Sequence, residues 1–97
     1  MNSIFSQAIR ARRLLRVNYS VGMRTVEPHA YGSSSDGNLL LRAFQVAGPH
    51  ADPGHDWDLF RVDKITAVTM LDATFVGPRP DYRRGDKSMR GGIICEL

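Results

Sequence analysis

The stretch DLFRVDKITAVTM (residues 58–70) contains two strand-like patterns that are out of phase with each other. Its first residues alternate as a half-buried strand does, with Phe60 and Arg61 on opposite faces. At Asp63 and Lys64 this period of two is lost, and the next apolar residues follow at a different spacing. A strand changes phase only at a bulge, a tight turn or a change of sheet face. The pattern therefore predicts two strands that meet at a corner.

The rest of the chain predicts one short helix and three more strands, which makes five strands with the two described above. Residues 3–11 place their apolar side chains on one arc at helical spacing, with Asn2 or Ser3 available as the N-cap. Because Arg12 would fall within that arc, the helix is expected to end near Ala11. Alternating side chains and flanking turn residues predict strands at 14–20, 23–28, 39–46, 57–62 and 65–71.

This order of elements predicts a mainly β (α+β) fold, in which a short N-terminal helix precedes a five-stranded antiparallel barrel of the Sm or SH3 type. The second strand should end at Pro28. The third, apolar on both faces except for Arg42, should be central, with one face under the helix. We expect this domain to span residues 1–76, and residues 77–97 to form an extended, basic C-terminal arm. Residues 92–97 could dock as a short edge strand.

Composition favours a small globular domain in the cytoplasm. The chain has 97 residues, of which 42% are hydrophobic and 24% charged, within the usual range for folded proteins. No apolar run approaches the roughly 20 residues needed to span a bilayer, and the N-terminus lacks the pattern of a signal peptide. The single cysteine, Cys95, cannot form an internal disulfide. We therefore expect no membrane partner.

Charge is distributed unevenly along the chain, whose net charge is +3. Residues 1–24 carry arginines and no acidic residue. In residues 25–78 acidic residues outnumber basic ones, and in residues 79–90 basic residues are in excess again. Two basic ends around an acidic middle suit an anionic partner that contacts one side of the protein. A solvated surface that keeps a small protein soluble explains the same pattern.

Two arginines are the first candidates for a ligand site. Arg61 and Arg42 lie in predicted strands among apolar neighbours, so each must either reach water or contact an anion. Two N–H donors of a guanidinium group match two phosphate oxygens. Other basic residues near the strand ends and the corner would complete the site: Arg24, His29 and Lys64. The alternative is a structural role, in which each arginine pairs with a nearby carboxylate.

The C-terminal arm is a second candidate. Tyr82 is followed by three cations: Arg83, Arg84 and Lys87. Such a segment can follow a phosphate backbone while the aromatic ring stacks on a base. A solubilising tail, or a tether that wraps a neighbouring subunit, would have the same composition.

Metal binding and catalysis are disfavoured. A metal would take its ligands from the loop at residues 47–56 and the start of the next strand: His50, Asp52, His55, Asp56 and Asp58. That loop is rich in Pro and Gly and has no periodicity to fix the ligands, so a polar surface loop is the preferred interpretation. Cys95 has no evident histidine beside it, as nucleophilic catalysis would require. We expect neither an enzyme nor a metal or other cofactor.

Several short motifs, in this order and spacing, resemble the WYL domain, a small Sm-like barrel of bacterial and phage proteins. They are Ala8-Ile9 in the helix, a strand ending in Tyr19, Arg24 with Glu27-Pro28, Gly37 before the third strand, and FRVDKI at residues 60–65. The likeness covers residues 4–72. It implies a ligand-sensing module without catalysis, found in transcription regulators and phage-defence systems, whose basic barrel pocket is proposed to bind nucleotides or nucleic acid.

This chain would be a stand-alone version of that module, without a DNA-binding domain. It departs from the family pattern in three places. Leu39-Leu40-Leu41 stands in place of Trp-Tyr-Leu, and Asp58 and Lys64 stand where the family has arginines. These departures favour an alternative function: a structural or protein-interaction module that has lost ligand binding. Such a module would form homo-oligomers, or bind a partner protein, through the barrel edges and the C-terminal arm.

Overall fold

The structure, a computed structural model, describes residues 3–20, 22–49 and 56–97. Its elements are α1 (Ile4–Ala11), β1 (Arg13–Tyr19), β2 (Gly22–Ser33), β3 (Leu39–Ala47), β4 (Trp57–Arg61), a 3-10 helix (Val62–Lys64), β5 (Ala67–Thr74) and β6 (Gly92–Glu96). The strands form one antiparallel sheet in the order β4-β3-β2-β1-β5, with β6 paired to β2. A mainly β fold with a short N-terminal helix is therefore confirmed, with six described strands instead of the five predicted. No helix in the described ranges is long and apolar enough to cross a membrane.

Helix α1 begins and ends where its sequence requires. The Ser3 side chain caps the N-terminus by accepting a hydrogen bond from the Ser6 backbone N–H at 3.1 Å. Arg12 adopts the left-handed conformation (φ 53°), which stops the helix after Ala11 as predicted. The apolar face of the helix packs over β1, β2 and β6, where the Phe5 ring lies 5.3 Å from the ring of Tyr31.

Strand β2 does not end at Pro28, so that prediction is wrong. Pro28 pairs with Ala43 of β3, and the register shifts between Pro28 and Ala30. A strand tolerates proline beside such a bulge, because the hydrogen-bond ladder is already interrupted there. The strand then continues to Ser33, and its second half pairs with β6 on the edge that β1 leaves open. The edge strand predicted within residues 92–97 is thus confirmed.

The sheet is curled. In a flat sheet, β4 and β1 would lie three strand spacings apart, about 14 Å. Their side chains nevertheless meet, since the rings of Phe60 and Tyr19 are 4.9 Å apart. The phase break at Asp63-Lys64 is the 3-10 helix, which carries the chain from β4 at one edge towards β5 at the other. The ladder between described strands is not closed, and the Sm or SH3 barrel type is not confirmed.

Both faces of the sheet are covered. On the helix side lies the main core: Phe5, Ala8, Ile9, Leu15, Val17, Val26, Tyr31, Leu41, Ala43 and Phe60. On the opposite face, the segment before β6, residues 77–91, folds back and buries Met89 against Ala30 and Leu40. This packing explains why β3 is apolar on both faces, and it differs from the extended arm that we expected. A domain boundary at residue 76 stays a prediction.

Candidate functional site

Arg24 is the centre of a group of side chains on the helix side of the sheet. We call this group the Tyr19 cluster: Tyr19, Arg24, Asp58, Phe60 and Arg61. Only 2% of Arg24 is exposed, and its Cζ lies 5.5 Å from the centroid of Tyr19 and 5.6 Å from that of Phe60. Its Nη1 is 3.8 Å from Asp58 Oδ2. Neither Nε nor Nη2 of Arg24 has a hydrogen-bond partner within the described part of the chain.

Arg61 lies at the outer side of the Tyr19 cluster. Its backbone N–H donates to the Tyr19 hydroxyl at 3.3 Å, so the main chain of Arg61 contacts the residue whose ring packs on Arg24. Its Nη2 donates to Asn38 Oδ1 at 3.3 Å and to Asp63 Oδ2 at 2.8 Å. The side chain is 42% exposed, so this ion pair contributes little to stability. Lys64 follows in the exposed 3-10 helix.

Arg42 lies on the opposite face of the sheet. Its Nε donates to Asp86 Oδ2 at 2.7 Å, and its Nη2 to Asp86 Oδ1 at 3.3 Å and to Ser88 Oγ at 3.4 Å. Partial burial raises the pKa of Asp86, but hydrogen bonds from Arg42 and Ser88 outweigh burial and hold that pKa below its usual value. The sequence analysis placed Arg42 in one site with Arg24 and Arg61, but the structure separates Arg42 from them.

His29 is fully buried in an aromatic group made of Trp57, Phe75 and Tyr82. Its Nε2 accepts a hydrogen bond from the Arg79 backbone N–H at 3.1 Å. Its Nδ1, 2.8 Å from the Glu27 carbonyl oxygen, is therefore the nitrogen that carries the proton. Burial lowers the pKa of His29 despite that hydrogen bond, which favours the charged form. Both ring nitrogens thus have hydrogen-bond partners within the protein.

The lowered pKa of His29 predicts a loss of stability in acid. Because the folded pKa lies below that of the unfolded chain, about 6.5, the unfolded state binds more protons as pH falls. We expect the free energy of unfolding to decrease from pH 7.5 to pH 5.5, by at most about 1.4 kcal/mol per pH unit from this residue. The nearest charges, Glu27 and Arg79, act on the ring in opposite directions.

Urea denaturation at several pH values would measure this dependence. In His29→Gln the slope of unfolding free energy against pH should be smaller than in the wild type. His50 and His55 are present in both proteins, so the difference between the slopes reports the substitution at residue 29. Equal slopes would contradict a buried neutral imidazole.

An open cleft lies between strands β3 and β4 and the folded-back C-terminal segment, and we call it the C-terminal cleft. Its volume is about 620 Å³, and its basic and aromatic lining residues are Arg42, Trp57, Tyr82, Arg83, Arg84 and Lys87. Two carboxylates, Asp81 and Asp86, complete the wall. All four residues predicted for the nucleic-acid arm thus meet Arg42 in one place.

Two aromatic rings, Trp57 and Tyr82, line this cleft. Their centroids are 6.1 Å apart and their planes differ by 20°. The Tyr82 hydroxyl donates to the His29 carbonyl oxygen at 3.3 Å, and burial raises the pKa of Tyr82 to about 12. Sequence reasoning missed Trp57 and Asp86 as neighbours of Tyr82 and Arg42. No periodicity in the sequence indicated either contact.

Three of the loop residues weighed as metal ligands, His50, Asp52 and His55, lie outside the described residues. Among residues 3–20, 22–49 and 56–97, no group of three or more His, Cys, Asp or Glu side chains could hold a metal ion.

Comparison with known proteins does not identify a family. No protein-family model, curated protein or solved structure matches this chain. The likeness to WYL domains therefore stays a prediction, and a function has to be argued from the Tyr19 cluster and the C-terminal cleft.

Proposed function

We propose that the protein is a non-enzymatic regulatory module of the WYL type that binds an anionic ligand, a nucleotide or nucleic acid, at the Tyr19 cluster. One observation carries this proposal: the Arg24 guanidinium is buried, and two of its nitrogens have no hydrogen-bond partner among the residues described. An unsatisfied buried donor costs about 1–3 kcal/mol, and more when it is charged. A phosphate oxygen would satisfy these donors with charge-assisted hydrogen bonds.

The surroundings of Arg24 support the same ligand chemistry. The Arg61 backbone contacts Tyr19, its side chain is 42% exposed, and its buried Nε also lacks a hydrogen-bond partner in the described part of the chain. A bound anion would contact these donors of Arg24 and Arg61, and Lys64, three residues after Arg61, would add positive charge. Residues that carried the WYL resemblance converge here, because Tyr19 and Phe60 pack on Arg24. This convergence supports the family relationship that we propose.

A second candidate function is a structural or protein-interaction module, and a specific observation favours it. Carboxylates already face both arginines, since Asp58 Oδ2 is 3.8 Å from Arg24 and Asp63 Oδ2 is 2.8 Å from Arg61. Internal carboxylates at these distances balance the charge that a ligand phosphate would otherwise neutralise. On this alternative the module binds a protein partner or a second copy of itself, and the binding does not depend on phosphate.

Calorimetric titration with ATP and with inorganic pyrophosphate, at 50 mM and 200 mM salt, would test the first function. We expect Arg61→Ala to weaken binding by about 10-fold or more, because a hydrogen bond to a charged group contributes about 1.5–3 kcal/mol. Arg16→Ala is the matched control, since it removes the same charge from an exposed position on β1. Equal effects of the two variants, or no binding by the wild type, would contradict the proposal and favour the interaction module.

A further inference from the structure

The C-terminal cleft and the two β4 side chains that contact Arg24, Asp58 and Phe60, lie on opposite faces of strand β4, whereas Arg61 joins the Tyr19 cluster through its backbone. Successive side chains of a strand point to opposite faces. Asp58 and Phe60 accordingly face the Tyr19 cluster, whereas Trp57 and Leu59 face the C-terminal segment. The two sites share a strand but no side chain, so a ligand in the cleft would not require the Tyr19 cluster.

The aromatic side of the cleft is held in a fixed orientation. Trp57 packs edge-on against His29 at 4.8 Å and against Phe44 at 5.4 Å, and its plane is within 20° of that of Tyr82. The hydrogen bond from Tyr82 to the His29 carbonyl oxygen anchors the second ring. Both rings also line the cleft, so each has an accessible part. Fixed aromatic rings of this kind stack on nucleic-acid bases with little dependence on sequence.

The cations around the cleft are available to a phosphate backbone. Arg83 and Lys87 are exposed and form no ion pair with any residue that the structure describes. Arg84 lies 3.1 Å from Glu96, but its side chain is 71% exposed and this contact is weak. The charge of Asp86 is balanced by Arg42, so it opposes an incoming phosphate less than a free carboxylate would. Three exposed cations within residues 83–87 suit a strand with repeated charges.

We infer that the C-terminal cleft binds a nucleotide unit of single-stranded nucleic acid. A base stacks beside Trp57 and Tyr82, and the adjoining phosphates contact Arg83, Arg84 and Lys87. A volume of about 620 Å³ lies within the range of small-ligand sites. The open shape of the cleft lets a strand continue beyond the bound unit.

Fluorescence titration of the full chain with the single-stranded oligonucleotides U8 and dT8 would test this inference. Trp57 is the one tryptophan of the sequence, so a stacked base should quench its emission directly. We expect the double variant Arg83→Ala/Lys87→Ala to bind at least 10-fold more weakly than the wild type. Loss of two phosphate contacts should also reduce the slope of log affinity against log salt by about 1.4, at about 0.7 per contact.

Two control variants distinguish binding at the C-terminal cleft from binding at the Tyr19 cluster. Arg10→Ala/Arg16→Ala removes the same total charge from exposed positions outside the cleft, and Arg61→Ala alters the Tyr19 cluster alone. Both should bind the oligonucleotides as the wild type does. Loss of binding in Arg61→Ala, equal loss in both double variants, or binding without any change in Trp57 emission would overturn the inference. So would the absence of oligonucleotide binding, even where ATP still binds at the Tyr19 cluster.

A titration with UMP distinguishes a free nucleotide from a single strand as the ligand of the cleft, since both offer the same base and phosphate groups. Affinity for UMP well below that for U8 supports a single strand as the ligand. Equal affinities, with the same quenching of Trp57 and the same loss in Arg83→Ala/Lys87→Ala, would keep the cleft as a nucleotide site but overturn the polymer as its ligand.

Discussion

Replacement of Phe60 by alanine is expected to lower the free energy of unfolding by about 3–5 kcal/mol. Only 1% of Phe60 is exposed, and its ring packs edge-on against Tyr19. Truncation removes this apolar contact and leaves a cavity that the neighbouring strands can only partly fill. It also removes one of the two rings beneath the Arg24 guanidinium. A small domain is stable by about 5–15 kcal/mol, so the variant would retain a small margin.

Urea denaturation, followed by Trp57 fluorescence and by circular dichroism, would measure this loss. Val76→Ala is the matched control, because Val76 is also apolar but 96% exposed. We expect that variant to unfold within about 0.5 kcal/mol of the wild type. Phe60→Leu should fall between them, since it retains most of the apolar volume. A cost below about 1 kcal/mol for Phe60→Ala would contradict the place of Phe60 in the core.

Replacement of Gly32 by alanine is expected to release the C-terminal segment from the sheet. A Cβ atom at Gly32 would lie 2.5 Å from the Gly92 carbonyl oxygen, 3.0 Å from Met89 Sδ and 3.1 Å from Ile93 Cα. Two of these atoms belong to backbone and cannot move aside without separating β6 from β2. Overpacking of this kind costs about 1–3 kcal/mol. The buried residues of the helix-side core come from α1 and strands β1–β4, so we expect that core to persist with the loss of its contacts to Cys95 and Leu97.

Hydrogen exchange measured by mass spectrometry would show where the loss occurs. In Gly32→Ala, peptides from residues 79–97 should exchange faster, while peptides from β1 keep their protection. Gly37→Asn is the control, because nothing lies within 4 Å of its Cβ position and asparagine tolerates its positive φ of 86°. If every peptide of Gly32→Ala exchanged as it does in the wild type, β6 would have accommodated the methyl group, contrary to this prediction. Oligonucleotide binding would then be unaffected as well.

Local patterns in the sequence were sufficient to predict most of the elements. The apolar arc and the Ser3 cap indicated the helix, and alternation indicated the first five strands. The phase break was predicted as a corner and is a 3-10 helix, in which the Ile65 backbone N–H donates to the Val62 carbonyl oxygen at 3.1 Å. Pro28 was misinterpreted as a strand end, because the bulge that accommodates it depends on its pairing with β3.

The packing of the C-terminal segment could not be predicted from such patterns. Its residues have no period of two or of 3.6, and their partners lie far away along the chain. Arg79 forms two hydrogen bonds with Glu27, at 2.8 and 2.9 Å, and Asp86 pairs with Arg42. Which carboxylate meets which arginine is set by the fold. Tyr82 and the three cations that follow it were therefore predicted as a group, but their meeting with Arg42 and Trp57 was not.

The pairing of early strands with late ones has a consequence for how the protein folds. Leu15 of β1 pairs with Met70 of β5, and Tyr31 of β2 pairs with Cys95 of β6. Topologies dominated by such distant pairings fold over milliseconds to seconds, and synthesis itself adds further delay. In that interval the edges of β1 and β2 are open to pairing with other chains. Aggregation during expression should therefore rise in variants that weaken β6, which is synthesised after the other described strands.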